Sequence, residues 1–148
     1  MSTSRLGAMI DALVIAIDAT TVEAVFDGPP LTSVPPTEYV IVGGTDDPDD
    51  DAGEVTQTWA GLGAKAKDEA GQVTCAVLVG TGNDVVKAAR DRALVIFGEI
   101  ETALRASPDL AVLVSGWSHT SDVRITQRRH ENGLYARLTF TVSYKCRI

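Results

Sequence analysis

Aromatic side chains are scarce, at 5% of the 148 residues. A core with few large rings must be filled mainly by Val, Leu, Ile and Ala. Cysteine is limited to Cys75 and Cys146. Two thiols make no disulfide scaffold, and each falls in an alternating apolar segment where a free thiol packs as a small hydrophobe. The spacing leaves a pairing of the two open, and a reducing, cytoplasmic site of synthesis is the simpler expectation. His119 and His130 are the only histidines, and neither has a Cys or a second His at metal-ligand spacing. Long apolar runs are missing too. Leu6 to Ile17 carries Asp11, is too short to span a membrane, and lacks the basic lead and cleavage site of a signal peptide.

Positive charge is in short supply: 13 Lys and Arg face 20 Asp and Glu, for a net charge of −7. Such a surface repels phosphate, which disfavours broad nucleic-acid or membrane binding. What remains is an ordinary globular composition, 45% hydrophobic and 22% charged, in a chain long enough for one domain with a real core. We read residues 1–148 as that single domain, with an acidic loop at 44–53.

Catalytic and cofactor signatures are incomplete wherever they begin. Val79-Gly80-Thr81-Gly82-Asn83-Asp84 reads as strand, glycine turn and helix start, a place where phosphate can bind. The third glycine of a dinucleotide fingerprint is missing, as is a P-loop Gly-Lys-Ser/Thr, and Asp84 would repel a phosphate. Asp46, Asp47, Asp49, Asp50 and Asp51 put five carboxylates in six residues. Calcium loops need carboxylates at set offsets, and Pro48 breaks this run. Ser115-Gly116-Trp117-Ser118-His119 holds a serine and a histidine, but neighbours on a strand point to opposite faces. We therefore expect no catalytic residues, no cofactor and no bound metal. The five aspartates are expected to form an exposed, mobile loop and a contact surface. Trp59 and Trp117 are candidates for interface anchors as much as for core positions.

Periodicity supplies the elements. Leu6, Met9, Ile10, Leu13, Val14 and Ile17 make one helical stripe within roughly residues 3–20, with Ser2, Thr3 or Ser4 as cap. Strands are expected at 22–27, with Val22, Ala24 and Phe26 on one face, and at 38–42, 54–62 and 72–79, with a polar turn at 65–71. A long helix should run from about Asp84 to Ala106, with Asn83 as its cap and Ser107-Pro108 as its stop. A short strand is expected at 110–114, then one at 123–128. From Leu134 to Ile148 alternation is unbroken: even-numbered positions are apolar, and odd ones from Tyr135 to Arg147 are mostly polar. Taking Asn132-Gly133 as the two turn residues places Ile125 opposite Phe140, Thr126 opposite Thr139 and Val123 opposite Val142. That register also sets Arg128 against Arg137, like charge on like. The order predicts an α+β fold: a mostly antiparallel sheet packed with an N-terminal helix and one long central helix.

The last strand is long for the molecule. Fifteen extended residues span roughly 50 Å, whereas a compact domain of this size is about 40 Å across. The segment must bend, or else residues 144–148 overhang and pair with a neighbouring subunit, which would remove an exposed edge. The interface residues expected on this basis are Arg137, Thr139, Thr141, Ser143, Tyr144, Lys145, Arg147 and Ile148, together with the five aspartates.

One family shares this punctuation. Its marks are the N-terminal amphipathic helix, Val25-Phe26-Asp27-Gly28-Pro29-Pro30, Tyr39-Val40-Ile41-Val42-Gly43-Gly44 and the Trp59-to-Val79 hairpin. Ala89-Arg90-Asp91-Arg92-Ala93 in the long helix follows, then Ser107-Pro108-Asp109-Leu110 and the closing Ala136-Arg137-Leu138-Thr139-Phe140-Thr141-Val142. The chain resembles the tail terminator, or tail completion, proteins of actinobacteriophages with long non-contractile tails, and more distantly the lambda-type tail completion protein. It departs from them at Ala111-Val112, where a glycine pair is usual. The resemblance implies a virion protein, assembled in the host cytoplasm, that forms a hexameric ring on the head-proximal end of the tail tube. The implied partners are other copies of itself, the tail tube protein and the head-tail stopper protein. Genomic DNA would pass through the lumen without specific binding, and no membrane is involved. Rival expectations are another head-tail connector or tube protein, and, from a different class, a small cytoplasmic enzyme or ligand-binding domain.

Overall fold

The computed structural model describes residues 3–30, 36–63, 65–81, 85–114, 119–130 and 133–148, with the backbone alone at His119 and His130. Helix α1 (Leu6–Asp18) leads to strands β1 (Val25–Asp27), β2 (Glu38–Val42), β3 (Gly53–Trp59) and β4 (Lys67–Thr81). Helices α2 (Val86–Ala106) and α3 (Pro108–Leu113) follow, and strands β5 (His119–His130) and β6 (Gly133–Arg147) close the chain. The six strands form one sheet in the order β1-β2-β4-β6-β5, with β3 also on β4. β1 and β2 run parallel and every other pair is antiparallel. The fold is thus α+β with a mixed, mostly antiparallel sheet.

The helices gather on one face. The stripe read from α1 is correct: Met9, Leu13 and Ile17 are buried, with Leu6, Ile10 and Val14 packed against them. α2 contributes Ala89, Ala93, Ile96, Ile100 and Leu104, and the even-numbered side chains of β6 meet them from below. Phe97 of α2 packs edge-on against Phe140 of β6, ring centres 5.0 Å apart. With so few rings, this pair and the aliphatic layer carry the core; each fully buried Leu, Ile or Phe contributes about 1.5–3 kcal/mol. A smaller cluster of Tyr39, Ile41, Ala76 and Leu78 lies on the opposite face, with Phe26 edge-on to Tyr39. β2 is therefore buried on both faces, as its unbroken apolar run predicts.

Several expectations need correction. Residues 110–114 are not a strand. Ser107 caps α3, accepting from Leu110 N–H, with Pro108 in the first turn and Asp109 beside it. Ser-Pro-Asp is a helix start as much as a helix stop. Residues 67–71 are not a turn but the first part of β4, because β3 and β6 supply ladder partners on both sides. β1 begins only at Val25, and Val22 packs with the helix-side core while Ala24 and Phe26 join the other cluster. The expected cap Asn83 lies outside the described residues, and the position before α2 is Val85.

The hairpin register is shifted by two. His130 pairs with Gly133, Ile125 with Leu138 and Thr126 with Arg137. A shift of two keeps every side chain on its face, so the face assignment stands although the partners change. Arg128 now faces Tyr135, which removes the like-charge pair. An irregularity between Ser121 and Arg124 shifts the pairing again, with Asp122 at φ 53, a conformation Asp tolerates better than most residues.

Residues 144–147 do not overhang: Tyr144, Lys145, Cys146 and Arg147 pair with Gly71, Ala70, Glu69 and Asp68 of β4. Ile148 exchanges both backbone hydrogen bonds with Lys67, at 2.8 and 2.9 Å. Fifteen residues fit inside the domain because β4, expected over 72–79, is itself a fifteen-residue strand, five residues longer at its start and two at its end. Two long strands extend together, and β3 covers the far end of β4 that β2 leaves open.

Candidate assembly surface

The helix-free face of the sheet is rich in hydroxyls. Thr139, Thr141 and Ser143 of β6 lie on it, beside Thr74 of β4 and Thr126 of β5. The acidic loop folds onto this face. Arg137 donates to Asp46 through Nε, and through Nη2 to Asp50 at 3.3 Å and to Thr45 at 3.2 Å. The Tyr135 hydroxyl donates to the other Asp46 oxygen at 2.8 Å. Thr45 is buried, and its hydroxyl donates to Asp50 at 2.6 Å while accepting from Asp47 N–H at 3.1 Å. The Asp47 carboxylate accepts from Asp49 N–H at 2.9 Å.

The loop is consequently latched, not a freely projecting arm. The two regions expected to contact partners, the aspartates and the odd face of β6, contact each other. Burial pushes the Tyr135 phenol far above its usual value, and the Asp46 carboxylate beside it adds to that. Burial lowers the Arg137 pKa, but Asp46 and Asp50 outweigh it and raise the value overall. Asp49, Asp51 and Lys145 remain exposed. A depression lined by Asp47, Asp51, Asp122, Arg124 and Arg137 separates the loop from β5.

Tyr144 is placed differently from the expectation. It is 2% exposed and belongs to the helix-side core. Its ring lies over Gly71, where a Cβ would come within 2.4 Å of it. Its hydroxyl donates at 2.8 Å to Glu69, itself 2% exposed. Glu69 also accepts from Gln57 Nε2 at 2.7 Å and from Arg5 N–H at 2.8 Å. Burial would raise the Glu69 pKa, but the hydrogen bonds from Gln57, Arg5, Tyr144 and Ser4 leave it below its ordinary value. One carboxylate thus fastens the start of α1, β3, β4 and the end of β6. Nothing in the sequence pattern singled out Glu69, since its role depends on strands that pair only in the fold. Arg147 forms an exposed two-point pair with Asp68, at 2.7 and 3.2 Å.

The cysteines are both free and buried, and burial pushes the Cys75 thiol up to about 12. Trp59 is 66% exposed, with Lys67 over its ring at 5.0 Å. Trp117, Ser118 and most of the glycine turn at 80–84 lie outside the described residues. Among the described residues no three His, Cys, Asp or Glu side chains come together as a metal site. No helix among them is long and apolar enough to cross a membrane.

Among the described residues the architecture is a sheet with one helix-covered face, a second face shared by the latched loop and the smaller apolar cluster, and β5 at an edge. No protein-family model matches the chain, and no curated protein is significantly similar to it.

Proposed function

We propose that this chain is a structural virion protein whose copies form a hexameric ring, cap the head-proximal end of the phage tail tube and join tail to head. The observation that carries the reading is β5. It is twelve residues long, its one strand neighbour among the described residues is β6, and Val123 and Ile125 are exposed on it. An edge of that length is a standing invitation to another chain, and docking of a neighbour buries it. The element order that carries the resemblance, an N-terminal helix, a long central helix and a closing ribbon, supports the same reading.

The mechanism is geometric. Subunits that meet through two different surfaces close into a ring when the rotation between them divides a full turn. Such a ring copies one interface of the tube, blocks further polymerisation and offers its other side to the stopper protein. Aspartates held by Arg137 keep a defined acidic surface, and one that lines a lumen lets DNA pass without sticking. Light scattering of the purified chain with tail tube protein tests this. The expected product has six times the 15.6 kDa mass of the chain. Open filaments would identify a tube protein instead, and a chain that stays monomeric beside tube protein would overturn the ring.

A further inference from the structure

The turn between β3 and β4 ends in a fully exposed leucine, Leu62, with Trp59 exposed at its base. Side chains at the flanking Gly61 and Gly63 would meet nothing, so Leu62 stands clear of its own chain. Lys67 covers one side of the Trp59 ring, and Lys65 is exposed beside the tip. The tip is apolar and basic in a chain that is acidic overall.

A counterpart exists elsewhere on the same molecule. Ala19, Thr21, Val95, Gly98, Thr102 and Ala106 line a recess of about 540 Å³ between the end of α1 and the outer side of α2. Val95 is exposed there, and Gly98 has open space where a side chain would be. The surroundings lean acidic, although Arg92 is close enough to act on Glu99 and Arg105, beside Ala106, pairs with Glu101. Glu99 accepts from the Thr21 hydroxyl at 2.7–2.8 Å, and Asp18 and Glu23 are exposed nearby in the chain. α1 has no basic residue in its last turn, so no cation there offsets the negative end of its dipole. The recess suits an apolar side chain accompanied by a lysine.

The two features cannot meet within one chain. The base of the β3–β4 hairpin is tied to the start of α1, through Arg5 N–H to Glu69 and Gln57 to the Thr3 carbonyl. The recess lies past the other end of that thirteen-residue helix, about 20 Å away. We infer that the tip, Trp59, Leu62 and Lys65, docks into the α1–α2 recess of a second copy. Tip and recess are different surfaces, so the contact is head-to-tail, the kind that builds a ring. This rests on the ring reading for its occupant and adds the contact that would close it.

The test uses the full chain with two cysteines introduced, Leu62→Cys and Ala106→Cys. The native thiols are buried, so mild oxidation reports the new pair. The docking predicts a reducible ladder of multimers from the double variant and none from either single variant. No ladder, or an equal dimer from Leu62→Cys alone, overturns it. Separately, Leu62→Asp and Gly98→Arg should each weaken self-association at least about tenfold with unchanged circular dichroism. Mixing the two variants should restore one contact and give a one-to-one dimer. Rings that form unchanged in Leu62→Asp overturn the docking alone; wild-type chains that stay monomeric beside tube protein overturn the ring reading itself.

Discussion

Gly71 and Tyr144 face each other across β4 and β6, and the tyrosine ring occupies the space a side chain at 71 would need. Gly71→Ala should displace the ring and lower stability in urea by about 1–3 kcal/mol. Gly98→Ala makes the opposite case: it sits in a helix with nothing near its missing Cβ, and the change should stabilise by about 0.5–1 kcal/mol. Glu69 is the second residue with leverage. Its carboxyl is held below the ordinary value of 4.5, as is that of Glu38, lowered chiefly by its hydrogen bonds from Arg92. The unfolded chain therefore binds protons more readily than the folded one. The stability these groups contribute is complete above the ordinary value and is lost as pH falls through the lowered ones. Glu69→Gln should cost about 1–3 kcal/mol at neutral pH, because a neutral amide accepts less strongly from the donors gathered around it. It should also flatten the decline of the urea midpoint below about pH 5. Parallel pH curves for the two proteins would remove Glu69 from the account.

At the scale of elements, the acidic loop and the closing ribbon behave differently from isolated segments. Arg137 holds Asp46 and Asp50 against the sheet. Arg137→Ala should lower global stability by about 1–3 kcal/mol, since the side chain is largely buried and its loss takes a donor from Asp46, Asp50 and the buried Thr45. Cleavage at residues 46–51 by an Asp-specific protease should also become several times faster, and equal cleavage rates would show that the latch does not hold the loop. The ribbon, by contrast, belongs to the core. Removing residues 144–148 deletes Tyr144 and Cys146 from the packed layer and strips the far end of β4 of a partner. We expect the truncated chain to lose about 3–5 kcal/mol, by analogy with deletion of a large buried side chain. Near-ultraviolet circular dichroism and urea unfolding would show whether a folded monomer survives.

Across the whole molecule, the proposed docking would set charges of opposite sign against each other. The basic hairpin tip and the acidic recess lie toward opposite ends of α1. Attraction between exposed charges is screened over about 10 Å at 0.1 M salt. Self-association should therefore weaken as salt rises from about 0.05 to 0.5 M, while burial of Leu62 keeps it from vanishing. Association that is indifferent to salt would leave the apolar anchor and discard the charge complementarity.

The sequence by itself determined the fold class, the helix stripes, β2 and the two faces of β6, because these follow from side-chain period and from nothing farther than a few residues away. Face assignment even withstood an error in register, since a slip of two residues preserves it. What the tertiary structure alone decided was pairing. Lys67 to Gly71 look like a turn until β3 and β6 flank them, and Ser107-Pro108 looks like a helix stop until α3 begins there. The Asp46–Arg137 latch and the Glu69 node join residues 91 and 75 positions apart. Hydrogen bonds over such distances depend on how strands are ordered in the sheet, and local periodicity carries no information about that order.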